Sequence, residues 1–368
     1  MSGLIEQAKT ELWAIVNEFI FAKRNGIAPE VQVSLYEYGK STLDRKDGFI
    51  RQIVPLSTDL DKISEELFAL KTNGGDEYCG WVIQEATKSL KWSDSFNDLK
   101  VIFIAGNEPF TQGTVDYNKA CKEAIAKGII VNTIHCGTES EGISGHWKDG
   151  AVIADGSFLN IDHNRQFARN TISAPQDKEI AELNLKLNDT YIAFGSRGEE
   201  GLRRQTAQDL NASNLSPGAA MGRALAKSSL NYVNSSWDLI DALKDEAVSL
   251  EDIKKEDLPE NMQSMTLEER KAYADTKAQE RANIQKRIQE LNAQRELYVK
   301  AETEKLATSQ NAMMGGMSAG RGGGMGGGRG SFGSAVTDTV RGQAMQKNFS
   351  FSQPSPSPSQ GSPTPAAP

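Results

Sequence analysis

Thiols and imidazoles are sparse in this chain, so those that cluster can be weighed one by one. His135-Cys136, with His146 close behind, are the residue types of a nucleophilic thiol and its base, the chemistry of a cysteine-dependent hydrolase. Cys79 follows the glycine turn Asn73-Gly74-Gly75-Asp76-Glu77 and stands at a helix start, where a thiol pKa falls. Against both, a thiol at a strand end or helix start packs well as a small hydrophobe, and three histidines leave little choice of base. Glu139, Glu141, Asp149 and Asp155 make one loop acidic; their oxygens suit Ca²⁺, but a solvated acidic loop needs no ion. Gly195-Ser196-Arg197-Gly198-Glu199-Glu200-Gly201 lacks the Lys-Ser/Thr of a phosphate loop and reads as an interhelical loop. Arg321 and Arg329 lie in glycine, as in RNA-binding segments, but two such arginines in a chain of net charge −8 read as a flexible tail.

The elements that must position these groups centre on Val101-Ile102-Phe103-Ile104, an unbroken apolar run followed by the turn Gly106-Asn107-Glu108-Pro109. Such a run predicts a strand buried on both faces. A second run, Ile129 to His135, ends at Cys136-Gly137-Thr138-Glu139, and residues 116–127 between the two read as a helix. Strand, helix and strand in that order predict a right-handed βαβ unit with parallel strands. Ligands in open α/β sheets collect beyond the carboxyl ends of the strands, which directs attention to residues 106–109 and 136–139.

Around this unit, residues 3–24 read as an amphipathic helix, and Val31 to Tyr38 and Gly48 to Leu56 as strands. Helices are expected through Ile63, Leu67 and Leu70 and through Trp81, Val82, Ala86 and Leu90. Residues 150–154 and 156–161 read as short closing strands. The pattern divides the chain into an α/β domain over 1–170, a helical extension over 171–257, a charged long helix over 258–308 and a disordered tail over 309–368. Within that tail, 335–346 has the pattern of a transient helix. Ile284, Ile288, Leu291 and Leu297 are too few and uneven for a long coiled coil; a short seam, against the body or against a second copy through 266–307, is the expectation. The acidic balance argues against a specific nucleic-acid binder. No apolar stretch of membrane-spanning length and no signal-peptide pattern occurs in the sequence, and the compartment stays open.

An amphipathic helix, strand Val31–Tyr38, a Gly-Gly turn and the βαβ pair, in this order over residues 1–170, resemble the von Willebrand factor A domain of bacterial type. The regions Asn184–Tyr191 and Trp237-Asp238-Leu239 look like the helical extension of bacterial members. The resemblance implies a Rossmann-like, mainly parallel sheet flanked by helices, with a divalent metal at its top. Three loops supply the metal's ligands in that family: Asp-x-Ser-x-Ser after the first strand, a Thr in a Gly-rich loop, and an Asp after the fourth strand. Here the first strand and its motif are missing. Met1-Ser2-Gly3-Leu4-Ile5 starts where the family motif runs into its helix, which implies a truncation or a misassigned start. The Thr position falls on Asp76, and Ala105-Gly106-Asn107-Glu108-Pro109 stands against Thr-Asp-Gly-Glu-Pro, with Gly106 at the ligand Asp. The implied metal-ion-dependent adhesion site is therefore degenerate: Asp76, Asn107 and Glu108, taking Mg²⁺ if the upstream motif completes it, and weakly or not at all in this chain alone.

The leading expectation is a protein-binding module of von Willebrand type. Its partner contacts are Gly75, Asp76, Glu77, Gly106, Asn107, Glu108, Thr138 and Glu139. A scaffold protein using the long helix and tail is the second expectation, and a hydrolase using Cys136 or Cys79 the third. The missing strand belongs between 31–38 and 100–105. Its loss leaves buried backbone groups unpaired at about 1–3 kcal/mol each and removes about five apolar side chains at about 1.5–3 kcal/mol each. The chain is thus expected to be marginal, aggregated, or closed by a neighbouring strand.

Overall fold

The computed structural model describes residues 2–71, 73–161, 172–315 and 332–351. Helix α1 (Ser2–Glu18) leads to a short strand β1 (Ala22–Lys23), then to β2 (Val33–Tyr38) and β3 (Ile50–Ser57). Helices α2 (Leu60–Ala69) and α3 (Cys79–Ser89) precede β4 (Lys100–Gly106), α4 (Tyr117–Ala126) and β5 (Ile129–Cys136). Next come α5 (Glu139–Ser144), α6 (Trp147–Ile153) and β6 (Phe158–Ile161). The remainder is helical: α7 (Asp177–Asn188), α8 (Gly198–Leu215), α9 (Pro217–Lys227), α10 (Leu239–Lys244), α11 (Glu260–Gln263), α12 (Leu267–Gly315) and α13 (Phe332–Gln346). Strand β7 (Ser350–Phe351) closes the described chain.

Strands β4, β5 and β6 form a parallel sheet in that order, with Ile102 opposite Val131 and Ile134 opposite Leu159. Every residue of β5 is buried, Asn132, Thr133 and His135 among them, as in a strand covered on both faces. The expected βαβ unit is therefore present, mixed α/β with helices on the sheet. One expectation is overturned: 31–38 does not share one hydrogen-bonded, mainly parallel sheet with 100–105 and 129–135. Strand β2 pairs antiparallel with β3 alone, a separate two-stranded sheet. A strand can add only to an edge it reaches, and β4's backbone pairs on one side only, with β5.

Three further corrections concern helices. Residues 150–154, read as a strand, lie mainly in α6, where Gly150 admits Phe110: a Cβ there would sit 2.9 Å from two atoms of that ring. The N-terminal helix stops at Glu18 rather than running to 24. The tail expected to be disordered holds α13 and β7. Val336, Val340 and Ala344 recur at helical spacing and are buried, and β7 pairs antiparallel with β1. Residues 162–171, 316–331 and 352–368, and with them Arg321, Arg329 and the rest of the expected tail, lie outside the described residues.

Helix α12 runs past 308 to Gly315, and no Gly or Pro interrupts it before then. Its buried positions are Ala274, Arg281, Ile288, Leu291, Asn292, Arg295 and Val299. Two arginines occupy a face that apolar residues usually fill. Arg281 meets Asp238 at 2.7 Å and Arg295 meets Asp177 at 2.7 Å. This is the short seam packed on the body, so that face of 266–307 is not free for self-association. One apolar cluster joins Leu12, Trp13, Val16, Val54 and Ile63 to Ile180, Leu187, Met221, Ile288 and Leu291, so both sides of position 170 share a core.

Candidate functional site

The glycine turn, the β4–α4 loop and the β5–α5 loop meet at the carboxyl end of the parallel sheet. Glu77 organises the meeting. Its Oε2 accepts the backbone N–H of Asn107 (2.9 Å) and of Glu108 (3.1 Å), and its own N–H donates to Gln112 Oε1 (2.9 Å). The Trp147 indole N–H donates to the Glu108 carbonyl at 2.9 Å, so α6 clamps the same loop. Burial raises the Glu77 pKa, opposed by the two backbone N–H groups.

Gly106 is dictated by this arrangement. A Cβ there would overlap Glu77 Oε2 and stand 2.9 Å from both the Trp147 ring and the Tyr38 hydroxyl. Position 106, expected from the resemblance to stand at a ligand Asp, thus has no room for one, because the carboxylate in that space arrives from Glu77 in the neighbouring loop. Tyr38 Oη–H donates to the Ala105 carbonyl at 2.8 Å and lies 3.7 Å from Cys79 Sγ.

His135, at the end of β5, is buried. Desolvation lowers its pKa, while the backbone of Asn107 and Thr138 and the charge of Glu141 pull the other way. Thr138 and Glu141 form a capping box at the start of α5: Thr138 Oγ1 accepts the Glu141 N–H (3.2 Å) and Glu141 Oε2 accepts the Thr138 N–H (2.9 Å). Asn160 ties β6 to this turn by donating to the Gly137 carbonyl at 2.8 Å. Asp76, Asn107, Thr138 and Glu139 are exposed around the rim, with Glu108 half-buried.

Asp76, Asn107 and Glu108, the residues expected to hold Mg²⁺, each make a local side-chain contact. The Tyr78 hydroxyl lies 3.4 Å from Asp76 Oδ2, and the Glu108 carboxylate accepts from Asn107 Nδ2 (3.1 Å) and Gln112 Nε2 (3.3 Å). Among the described residues no group of three or more His, Cys, Asp or Glu side chains is arranged to hold a metal ion. The acidic loop is divided in use: Glu141 caps a helix, while Asp149 bonds His146 Nδ1 at 2.7 Å.

The three cysteines are free and buried. Burial holds the Cys79 thiol far above its ordinary pKa and pushes Cys121 and Cys136 up to about 12. His146 lies with Asp149 and Tyr117, and His135 with Asn160, rather than against a thiol. Residues 195–197 form the loop into α8, but 198–201, expected as loop, are its first turn, where Gly201 admits the Trp237 ring.

Sequence reading placed the three loops but missed Tyr38, Gln112, His135 and Trp147 as their supports. Only the position of His135 at a strand end signals such a role; the others reach the site from distant elements. No family model matches this chain, and none of the curated proteins compared with it matches.

Proposed function

We propose that this chain is a protein-binding module of von Willebrand factor A type that docks another protein at the carboxyl end of its parallel sheet. The contacts are Gly75, Asp76, Asn107, Glu108, Thr138 and Glu139, set over the buried Glu77 and Gly106. The observation that carries the reading is the convergence of three loops there, tied together by Glu77 and rimmed by exposed polar groups. Rigid elements presenting polar loops at the carboxyl ends of strands suit recognition. The order of elements in the sequence supports the family, and Gly106 at the ligand Asp position sets this chain apart from its pattern. Because Glu77 fills the space beside Gly106, the partner is read as docking by direct polar contact without Mg²⁺.

The test is affinity capture with the immobilised chain beside the triple variant Asp76→Lys, Glu108→Lys, Glu139→Lys. A partner retained by the wild type and lost by the variant, with unchanged melting of the variant, is expected in Mg²⁺ and in chelator alike. Equal retention by both would refute the site, and retention only with Mg²⁺ would restore a metal to it. A scaffold role draws support from the end of α12, where residues 304–306 are exposed beyond the packed seam; deleting 300–315 would then abolish self-association. The buried, protonated thiols lend no support to a cysteine hydrolase.

A further inference from the structure

We infer that Lys227 and Asn188 join side chain to side chain in an amide bond, made by the folded chain itself with Asp209 as the proton carrier. This chemistry lies in the helical part of the molecule and does not depend on the loop rim above.

Side chains from three helices meet here. Lys227 ends α9 and is fully buried. Its Nζ donates to Oδ1 of Asn188, the last residue of α7, so the amine stands beside the amide group it attacks. Asp209 of α8 reaches both partners through one oxygen. Its Oδ2 lies 2.8 Å from Lys227 Nζ and accepts from Asn188 Nδ2 at 2.8 Å. Asn184 Nδ2 donates to the same oxygen at 3.1 Å, and Arg223 Nε donates to Oδ1 at 2.9 Å, so the carboxylate is held from both sides.

A plain ion pair of Lys227 with Asp209 has no need of the amide. Here the amide oxygen faces the amine, and the amide nitrogen faces the carboxylate that also touches the amine. Aminolysis of an amide requires these groups: a nucleophilic amine, a carbonyl, and a base between the attacking and the leaving nitrogen. Fixed proximity replaces a bimolecular encounter, and burial keeps water from competing with the amine.

Lys227 reacts as the free amine. Its Nζ bonds to Asn188 Cγ while the π pair of the carbonyl moves onto Oδ1. Asp209 Oδ2 takes a proton from Nζ and passes it to Nδ2. The pair returns from Oδ1, the Cγ–Nδ2 bond breaks, and ammonia leaves. Asp209 begins and ends as a carboxylate, in keeping with a pKa of about 2, where burial is outweighed by Lys227 and Arg223. Burial brings Lys227 from 10.5 to about 8 against the pull of Asp209, which frees part of the amine near neutral pH. The charged groups facing Lys227 are Asp209, Asp61 of α2 and Arg223 of its own helix. Helices α1, α7 and α12 bring amides: Asn17 on the Gly222 carbonyl, Asn188, and Gln285 on the Lys227 carbonyl. Until the bond closes, Lys227 titrates as an amine; afterwards it does not, and Arg223 remains the counter-ion of Asp209 and Asp61. The bond ties the end of α7 to the end of α9 and encloses α8 in a covalent loop.

The test is intact-mass spectrometry of the denatured full chain, fresh and after incubation near pH 8, where the amine is half free. The wild type should become lighter by one ammonia, and trypsin should then release one branched peptide joining 187–197 to 224–244. Lys227→Arg and Asn188→Ala should keep their full mass, and Asp209→Asn should slow the loss at least about a hundredfold. One pH unit lower the wild type should lose ammonia about fivefold more slowly, following the free amine. A wild type that keeps its full mass would overturn the bond whether or not the variants fold. So would a loss that survives Lys227→Arg, or a lightened chain without the branched peptide. Asp209→Asn linking as fast as the wild type would overturn the proton carrier.

Discussion

Glu77 places a carboxylate among backbone donors rather than beside a cation, and its energetics follow from that. Its folded pKa lies above the ordinary 4.5 because burial outweighs the two N–H groups. The folded state therefore holds the proton more tightly, and the Glu77 contribution to stability falls as pH rises from 4.5 upward. Glu77→Gln keeps an acceptor for Asn107 and Glu108, so it should remove that pH dependence with little loss at neutral pH. Glu77→Ala should cost about 1–3 kcal/mol by leaving two donors unmet. Urea unfolding of both variants between pH 4 and 8 separates the two effects, about those pH limits being set by the carboxylate range. Gly106→Ala should also destabilise, by about 1–3 kcal/mol of overpacking against Glu77, Trp147 and Tyr38, read as a lowered melting temperature.

Among the elements, α13 shows how a segment of low apparent promise becomes ordered. Gln343 and Asn132 exchange two side-chain hydrogen bonds (3.1 and 2.8 Å) inside the structure, Asn132 from the middle of β5. Arg341 pairs with Glu18 of α1 at 2.7 Å. Gln343→Leu should cost about 1–3 kcal/mol because the Asn132 amide loses a buried partner. Exchange measurements should find the amides of 336–344 protected in the wild type and less so in that variant. Helix α12 depends in the same way on Arg281, which holds Asp238 and accompanies the Thr190 carbonyl at 2.9 Å. Arg281→Met leaves Asp238 buried with its charge uncompensated, a loss of about 3–5 kcal/mol measurable by denaturant unfolding.

At the scale of the whole molecule, a buried ionic network binds the α/β part to the helices that follow. Arg223 bonds Asp61 of α2 and meets Asp209 of α8 at 2.9 Å; Lys227 meets Asp209 at 2.8 Å and bonds Asn188. The Tyr232 hydroxyl donates to Asp61 at 2.6 Å. Burial raises the Asp209 pKa, but Lys227 and Arg223 outweigh it and bring it from 3.8 to about 2. The stability this confers is present above 3.8 and is lost as pH falls toward 2. Asp209→Asn should thus cost about 3–5 kcal/mol near neutral pH and flatten the acid limb of the unfolding profile. Lys227 runs the other way: burial pushes it from 10.5 to about 8, so the unfolded chain binds more protons between those values and stability rises with pH there. The wild-type rise across that window should be absent in Lys227→Met.

Much of the local structure was legible from the chain alone. The runs at 101–104 and 129–131 pointed to interior strands, because short apolar runs bounded by turn residues suit a strand covered on both faces, and a glycine turn marked the start of α3. Two of the three loops at the carboxyl end of the sheet, 106–109 and 136–139, followed from the βαβ order. What lay beyond reach was partnership. Whether 33–38 reaches 100–106 is decided by what stands between them, and periodicity within a segment carries no information about that. Nothing in the sequence marks Arg281 and Arg295 of α12 for burial, because Asp238 and Asp177 come opposite them only in the fold, and α13 read as a transient helix because its cover on β5 lies 211 residues away at Asn132. Gly106 looked like a lost ligand; only folding places the Glu77 carboxylate where a side chain at 106 would stand. Backbone conformation is set by near neighbours, whereas counter-ions, ladder partners and close approaches come from parts of the chain that meet only in the tertiary structure.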